Sequence, residues 1–185
     1  MIEEVRKKSQ AKMEKALDAL KREFAGVRTG RASTHLLDGI HVPYYGAETP
    51  LAQVASLSVP EPRLIVIQPW QASLIPDIEK AIQKSDLGLT PSNDGKVVRL
   101  AVPPLTEERR KELAKVVKKM AEEARVSIRN ARRDGNEEFK KLEKAEHVGK
   151  DDIRKAADEL QKMTDQWIKK IDDLLAHKEA EIMEV

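Results

Sequence analysis

Apolar residues spaced by threes and fours mark three long stretches of the chain. Between Leu105 and Leu142, the residues Leu113, Val117, Met120, Ala124, Ile128 and Ala131 form one stripe, as a helix burying a single face requires. Met13, Leu17, Leu20, Phe24 and Val27 repeat that spacing within residues 2–28 as a heptad-like seam. Ile153, Ala156, Leu160, Thr164, Trp167, Ile171 and Leu174 repeat it within residues 151–183. Gly149 falls at the N-cap of this last helix, and Asp151 and Asp152 fill its first turn, where acids favour the helix dipole. None of the three can bury its stripe alone, so a long antiparallel three-helix bundle is predicted. A central helix of about 38 residues would run about 57 Å, which makes the bundle a rod.

Residues 31–103 follow another pattern. Eight prolines fall here, Pro43, Pro50, Pro60, Pro62, Pro69, Pro76, Pro91 and Pro103, among short β-type runs. Ile40 to Tyr44, a turn around Gly46 and a return through Leu51 predict a hairpin with proline at edge positions. Val54–Val59, Leu64–Gln68 and Val97–Val102 predict further strands, with turns at Pro60–Arg63 and Ser92–Gly95. Ile75, Ile78 and Ile82 share one face of a short helix over Ile75–Lys84. The fold class is therefore α+β, with a small β/α/β domain inserted between helices 1 and 2 of the bundle. The boundaries read as 1–29 and 106–185 for the bundle and 32–102 for the small domain. Residues 30–31 and 103–105 join them as a two-strand hinge of Gly30, Arg31, Pro103, Pro104 and Leu105, and Thr106 is a plausible N-cap for the central helix. Two linkers favour swinging over twisting.

Composition narrows the chemistry. Charged residues make up 36% of the 185, aromatics 3%, and net charge is only +2, so any affinity for nucleic acid must come from how charge is distributed. Cysteine is absent, which excludes disulfides and thiolate chemistry. No apolar run reaches the length of a membrane span, and the start Met1–Lys8 lacks a signal peptide's apolar stretch, so a cytoplasmic protein is expected. The four histidines are scattered without metal-ligand spacing, no serine sits in a nucleophile elbow, and no glycine-rich loop has phosphate-binding spacing. Asp151–Asp152 and Asp172–Asp173 are neighbours that diverge on helices. Trp167 lies on a seam and is expected in the core, whereas Trp70 beside Pro69 suits either core or recognition. No enzyme, no cofactor and no metal are expected.

The remaining signal is electrostatic. On the central helix Lys111, Lys118, Arg125, Arg129 and Arg132 fall on one side of the stripe, and Glu112, Glu123, Asp134 and Glu137 on the other. A helix tuned for solubility interleaves its signs. Gathered guanidiniums suit a phosphate backbone, though a solvated face paired with acids of neighbouring helices fits the spacing equally well. The adjacent Arg132 and Arg133 favour an anion, and Arg28 and Arg31 form a second basic cluster. The near absence of aromatics on this face argues for backbone and shape recognition of folded RNA.

Seven strings in order along the chain resemble one family: Val27–Ser33 (VRTGRAS), Leu37–Ile40, Tyr44–Leu51 (YYGAETPL), Glu79–Ile82, Ser85–Leu89, Pro103–Lys111 (PPLTEERRK) and Ala124–Arg133 (ARVSIRNARR). The chain resembles the bacterial ribosome recycling factor family over essentially its whole length. That resemblance implies an L-shaped protein that acts after translation termination, splitting ribosomes into subunits with elongation factor G and GTP. It places Arg110, Arg129 and Arg132, with Arg28 and Arg133, against large-subunit ribosomal RNA at the intersubunit face. The small domain and hinge would meet elongation factor G, and a monomer is expected. Alternative readings from the residues alone are a general structured-RNA-binding protein or a coiled-coil scaffold.

Overall fold

The computed structural model describes residues 1–145 and 147–184. The chain divides into two compact units, Met1–Arg28 with Glu107–Glu184, and Thr29–Thr106.

The first unit holds three long helices, α1 (Ile2–Ala25), α4 (Glu107–Lys144) and α5 (Lys150–Met183). Their periodic apolar residues meet along one axis, with Met13, Val117, Ile128 and Ile171 fully shielded from solvent. α1 stops at Ala25, so Val27 lies outside it and is half-buried. Met120 and Leu174 are also half-buried, and Ala121, Gly135 and Phe139 extend the buried face of α4 beyond the predicted stripe. At Gly135 the three helices approach closely. A Cβ built there would lie 2.6 Å from Ser9 Oγ of α1 and 2.8 Å from Leu160 Cδ2 of α5. The buried Thr164 hydroxyl bonds back to the Leu160 carbonyl at 2.8 Å, which satisfies its polarity inside the helix. Gly149 caps α5 in an extended conformation, and Asp151 and Asp152 occupy its first turn.

The second unit begins with a hairpin of β1 (His41–Tyr44) and β2 (Ala47–Pro50), followed by one helical turn, α2 (Leu51–Val54). Tyr45 and Gly46 close the hairpin with φ of 49° and 80°, the paired left-handed conformation of a tight two-residue turn. A four-stranded antiparallel sheet follows, in the order β3 (Ala55–Glu61), β4 (Leu64–Pro69), β6 (Val98–Ala101), β5 (Pro91–Asn93). Helix α3 (Ile75–Lys84) buries Ile75, Ile78 and Ile82 in the same core as Ile65, Ile67, Val98 and Leu100. The segment Ser92–Gly95, expected as a turn, gives Ser92 and Asn93 to β5, and the chain bends at Gly95 and Lys96.

Asp94 locks that turn. Its Oδ1 accepts from the amides of Val97 and Lys96, both at 2.9 Å, and its Oδ2 accepts from Arg99 Nη1 at 3.0 Å. The Val97 amide, then the Lys96 amide and the Arg99 guanidinium, hold the carboxyl at about 2, well below the usual carboxylate range. A folded-state pKa lowered in this way means the turn is stabilised above the unfolded value and loses that support as pH falls through about 2. The Lys96 and Val97 amides are therefore expected to lose hydrogen-exchange protection between about pH 4 and 2, and Asp94→Ala to remove the pH dependence. Equal protection in wild type and variant would refute the lock.

Candidate nucleic-acid interface

The two charged flanks of α4 dock two different helices. On the acidic flank, Glu138 and Asp134 receive Lys8 and Lys12 of α1 at 2.8 and 3.2 Å. Glu138 raises the Lys8 pKa above its ordinary value. The basic flank meets α5: Arg125 places Nε and Nη2 on Asp172 Oδ1 at 2.9 and 2.7 Å. Arg132 Nη1 donates to Gln161 Oε1 at 3.0 Å, and Gln161 Nε2 donates to Asp165 at 2.9 Å. One residue of α4 itself completes the row. Glu122 accepts from Arg125 Nη1 at 3.0 Å and from Arg129 Nη1 at 3.1 Å. Arg129 and then Arg125 lower the Glu122 pKa, so the carboxylate stays ionised between them.

These pairings sort the expected site residues by availability. Arg125 is the least available, with 19% of its side chain exposed and two carboxylates engaged. Burial works against its charge, but Asp172 and Glu122 outweigh it and its pKa is raised. Arg129 and Arg132 hold a single partner residue each at the surface, and such exposed contacts contribute roughly 1 kcal/mol or less, so a phosphate can compete for them. Arg133 and Lys118 are exposed, without an ion pair among the described residues. Arg110 is half-buried near the start of α4, and its Nε is an uncommon orphan, a buried donor without a hydrogen-bond partner among the described residues. Arg28 is exposed just beyond the C-terminal end of α1, not on α4. Among the hinge candidates, Gly30 takes φ +79°, and a Cβ there would press on Leu105 Cγ at 3.2 Å; Arg31, Pro103 and Pro104 are exposed.

Other candidates fall away from any reacting geometry. His35 contacts Asp38 at 3.3 Å and His177 contacts Glu181 at 3.8 Å, both at the surface. Among the described residues no group of His, Asp and Glu is placed to hold a metal ion, and no helix is long and apolar enough to cross a membrane. Trp167 departs from expectation. It is half-buried: α1 offers it Leu17 but also the polar Gln10 and Glu14, so the neighbouring surface is only partly apolar. Trp70 is 66% exposed, its Nε1 donating to the Gln53 carbonyl at 3.3 Å.

Residues 20–183 match the family model described as ribosome recycling factor. The chain belongs to the ribosome recycling factor family. A ribosome-recycling factor of Syntrophus aciditrophicus is 61% identical over 173 residues, covering 94% of each chain. One from Bacillus cytotoxicus is 59% identical over 185 residues and covers both chains completely. A solution structure of a ribosome recycling factor superposes with a TM-score of 0.77 at 45% identity, covering 100% of this chain and 98% of that one. A second solved assembly, at TM-score 0.66 and 46% identity over 100% of both chains, is described as models for the T. thermophilus ribosome recycling factor and the E. coli elongation factor G bound to the E. coli post-termination complex. Both solved relatives share the α+β architecture of long helices with a small sheet unit.

Within this ribosome recycling factor fold, Glu122 and Gln161 escaped the reading of the sequence. Glu122 had a signal: it precedes Arg125 by three and Arg129 by seven, both same-face spacings on a helix. Gln161 and Asp172 had none, because their arginine partners lie 29 and 47 residues away.

Proposed function

We propose that this chain splits post-termination ribosomes into subunits together with elongation factor G and GTP. The observation that carries the reading is the full-length match to a solved relative described as bound, with elongation factor G, to the post-termination complex. The long bundle is the part that grips. Arg129, Arg132 and Arg133 contact phosphates of large-subunit ribosomal RNA, with Arg110 and Arg28 at the other end of the row and Lys118 and Arg125 flanking it. The orphan Nε of Arg110 and the single surface partners of Arg129 and Arg132 support this assignment. Charge-assisted contacts of guanidinium with phosphate are stronger than the amide contact Arg132 gives up.

The small domain, residues 32–102, receives the push from elongation factor G, and residues 30–31 with 103–105 serve as the hinge that transmits it. The chain supplies no catalysis of its own; GTP is hydrolysed by the partner, in the cytoplasm, on a complex to which the chain comes as a monomer. Light scattering of post-termination ribosomes tests the whole reading. A fall in scattering that requires this chain, elongation factor G and GTP together is expected, and no fall would overturn it.

The hinge has its own test. Replacing Pro103 and Pro104 together by glycine adds backbone freedom, since proline fixes φ near −65°. Ribosome affinity is expected to change less than about twofold and the splitting rate to fall several-fold, because a slack joint transmits force poorly. An unchanged rate removes the hinge from the mechanism.

A further inference from the structure

α5 turns a second face away from the arginine row. Where it runs beside α1, the surface opens into two adjoining depressions of about 450 and 540 Å³, and Trp167 and Lys170 line both. The first is basic, with Arg6, Lys162 and Lys170 against the lone Glu159. The second is acidic, with Glu14, Asp18 and Asp173 against Lys21 and Lys170. At the junction Lys170 Nζ stands 4.1 Å from the centre of the Trp167 ring. Met163, Leu17 and Leu174 also line these depressions, but an indole left half-buried between cations on one side and carboxylates on the other exceeds what apolar packing alone accounts for.

We propose that this groove holds one unpaired nucleotide of a structured RNA, its base stacked on Trp167 and its phosphate toward Arg6 and Lys162. Lys170 is the placeholder. An exposed cation–π contact is weaker than a base on an indole, so an arriving base displaces the ammonium, which then meets the phosphate. The carboxylates of Glu14, Asp18 and Asp173 accept from exocyclic amino groups, so the site favours amino-bearing bases over uracil. The two ends fit the two ends of a nucleotide and do not fit a uniformly charged or purely apolar ligand. The site takes its polymer class from the proposed ribosomal role but uses none of the arginine-row residues, so either can fail alone.

The full chain carrying Trp70→Phe has Trp167 as its single tryptophan. Titrating it with ten-nucleotide oligo-C and oligo-U RNA is expected to quench Trp167 emission, with oligo-C binding several-fold tighter. Trp167→Ala, followed by anisotropy of labelled oligo-C, is expected to weaken binding roughly tenfold, and Trp167→Tyr to restore part of it. Lys162→Glu tests the phosphate end without touching the ring and is expected to weaken both oligonucleotides alike. Unquenched emission at millimolar RNA overturns the proposal, as does unchanged affinity in Trp167→Ala. Equal affinity for the two oligonucleotides overturns the acidic-end assignment. Quenching by an acidic peptide but not by RNA would give the groove to a protein and overturn it as well. Ribosome affinity of Arg132→Glu, measured in parallel, reports separately on the arginine row.

Discussion

Arg132→Glu is expected to weaken ribosome binding by tenfold or more while the protein stays folded. Arg132 is half-exposed, and its single partner is the neutral Gln161 amide at 3.0 Å. Loss of that contact costs the fold little: surface substitutions away from special features stay within about 0.5 kcal/mol, and the Gln161 amide can turn its NH₂ toward the new carboxylate. In the proposed interface the reversal removes one phosphate contact and places a like charge beside the backbone. If three or four arginines of the row neutralise phosphates, affinity falls about two decades between 50 and 200 mM salt, and removing one contact lowers the slope of log K against log salt by about 0.9. The measurement is ribosome pelleting across that salt range, with helicity and melting temperature as controls. A folded variant with normal affinity and an unchanged slope would take Arg132 out of the interface. Arg125→Glu offers the contrast. Arg125 is clasped by Asp172 and Glu122, so its reversal is expected to destabilise the bundle as well, and a binding loss there would be ambiguous.

Gly135→Ala is expected to lower stability, although alanine is the better helix former by about 1 kcal/mol. The added Cβ would meet Ser9 Oγ at 2.6 Å and Leu160 Cδ2 at 2.8 Å, so both side chains must shift. Overpacking of a tight interior costs about 1–3 kcal/mol, and the buried Ser9 and Leu160 side chains must turn aside to relieve it, so against the helix-propensity gain a net loss of up to about 2 kcal/mol is expected. Thermal or urea unfolding reads this directly. Ser9→Ala removes the nearer obstacle and should recover part of the loss in the double variant, a coupling that two distant sites would not show. A rise in stability in Gly135→Ala alone would mean that the helices do not approach as described.

The long helices were legible because a 3.6-residue period over thirty positions overwhelms local accidents, and the hairpin because Tyr45–Gly46 can turn left-handed. The bounds were less so. α2 is a single turn with no period to read, and β5 is three residues of turn-forming composition held only by pairing with β6. Trp167 was misplaced because a seam position reports its own helix and is silent about what the neighbour brings; α1 brings Gln10 and Glu14. Gly135 and Phe139 continue the spacing of the stripe beyond Ala131, but a glycine adds no apolar side chain to mark the face there. In the candidate site, the segregation of charge on α4 was visible, but not its structural use. The sequence pattern left two readings of the basic flank, phosphate binding or pairing with acids of a neighbouring helix. The structure assigns Arg125 to pairing and leaves Arg133 open to solvent.

The opposed flanks of α4 also bear on handedness. Three helices joined in series can close with the third on either side of the first pair, giving two bundles that are mirror images in layout and nearly equal in apolar burial. With Lys8 and Lys12 bound to the acidic flank and Asp172 and Gln161 to the basic one, only one hand matches charge to charge. In the opposite hand α1 would bring Lys12 to the side of Arg132, and α5 would bring Asp172 to the side of Glu123. The charge pattern on a single helix thus acts as a chirality label, and the outward edge it leaves uncovered carries Arg133 on one predetermined side of the molecule.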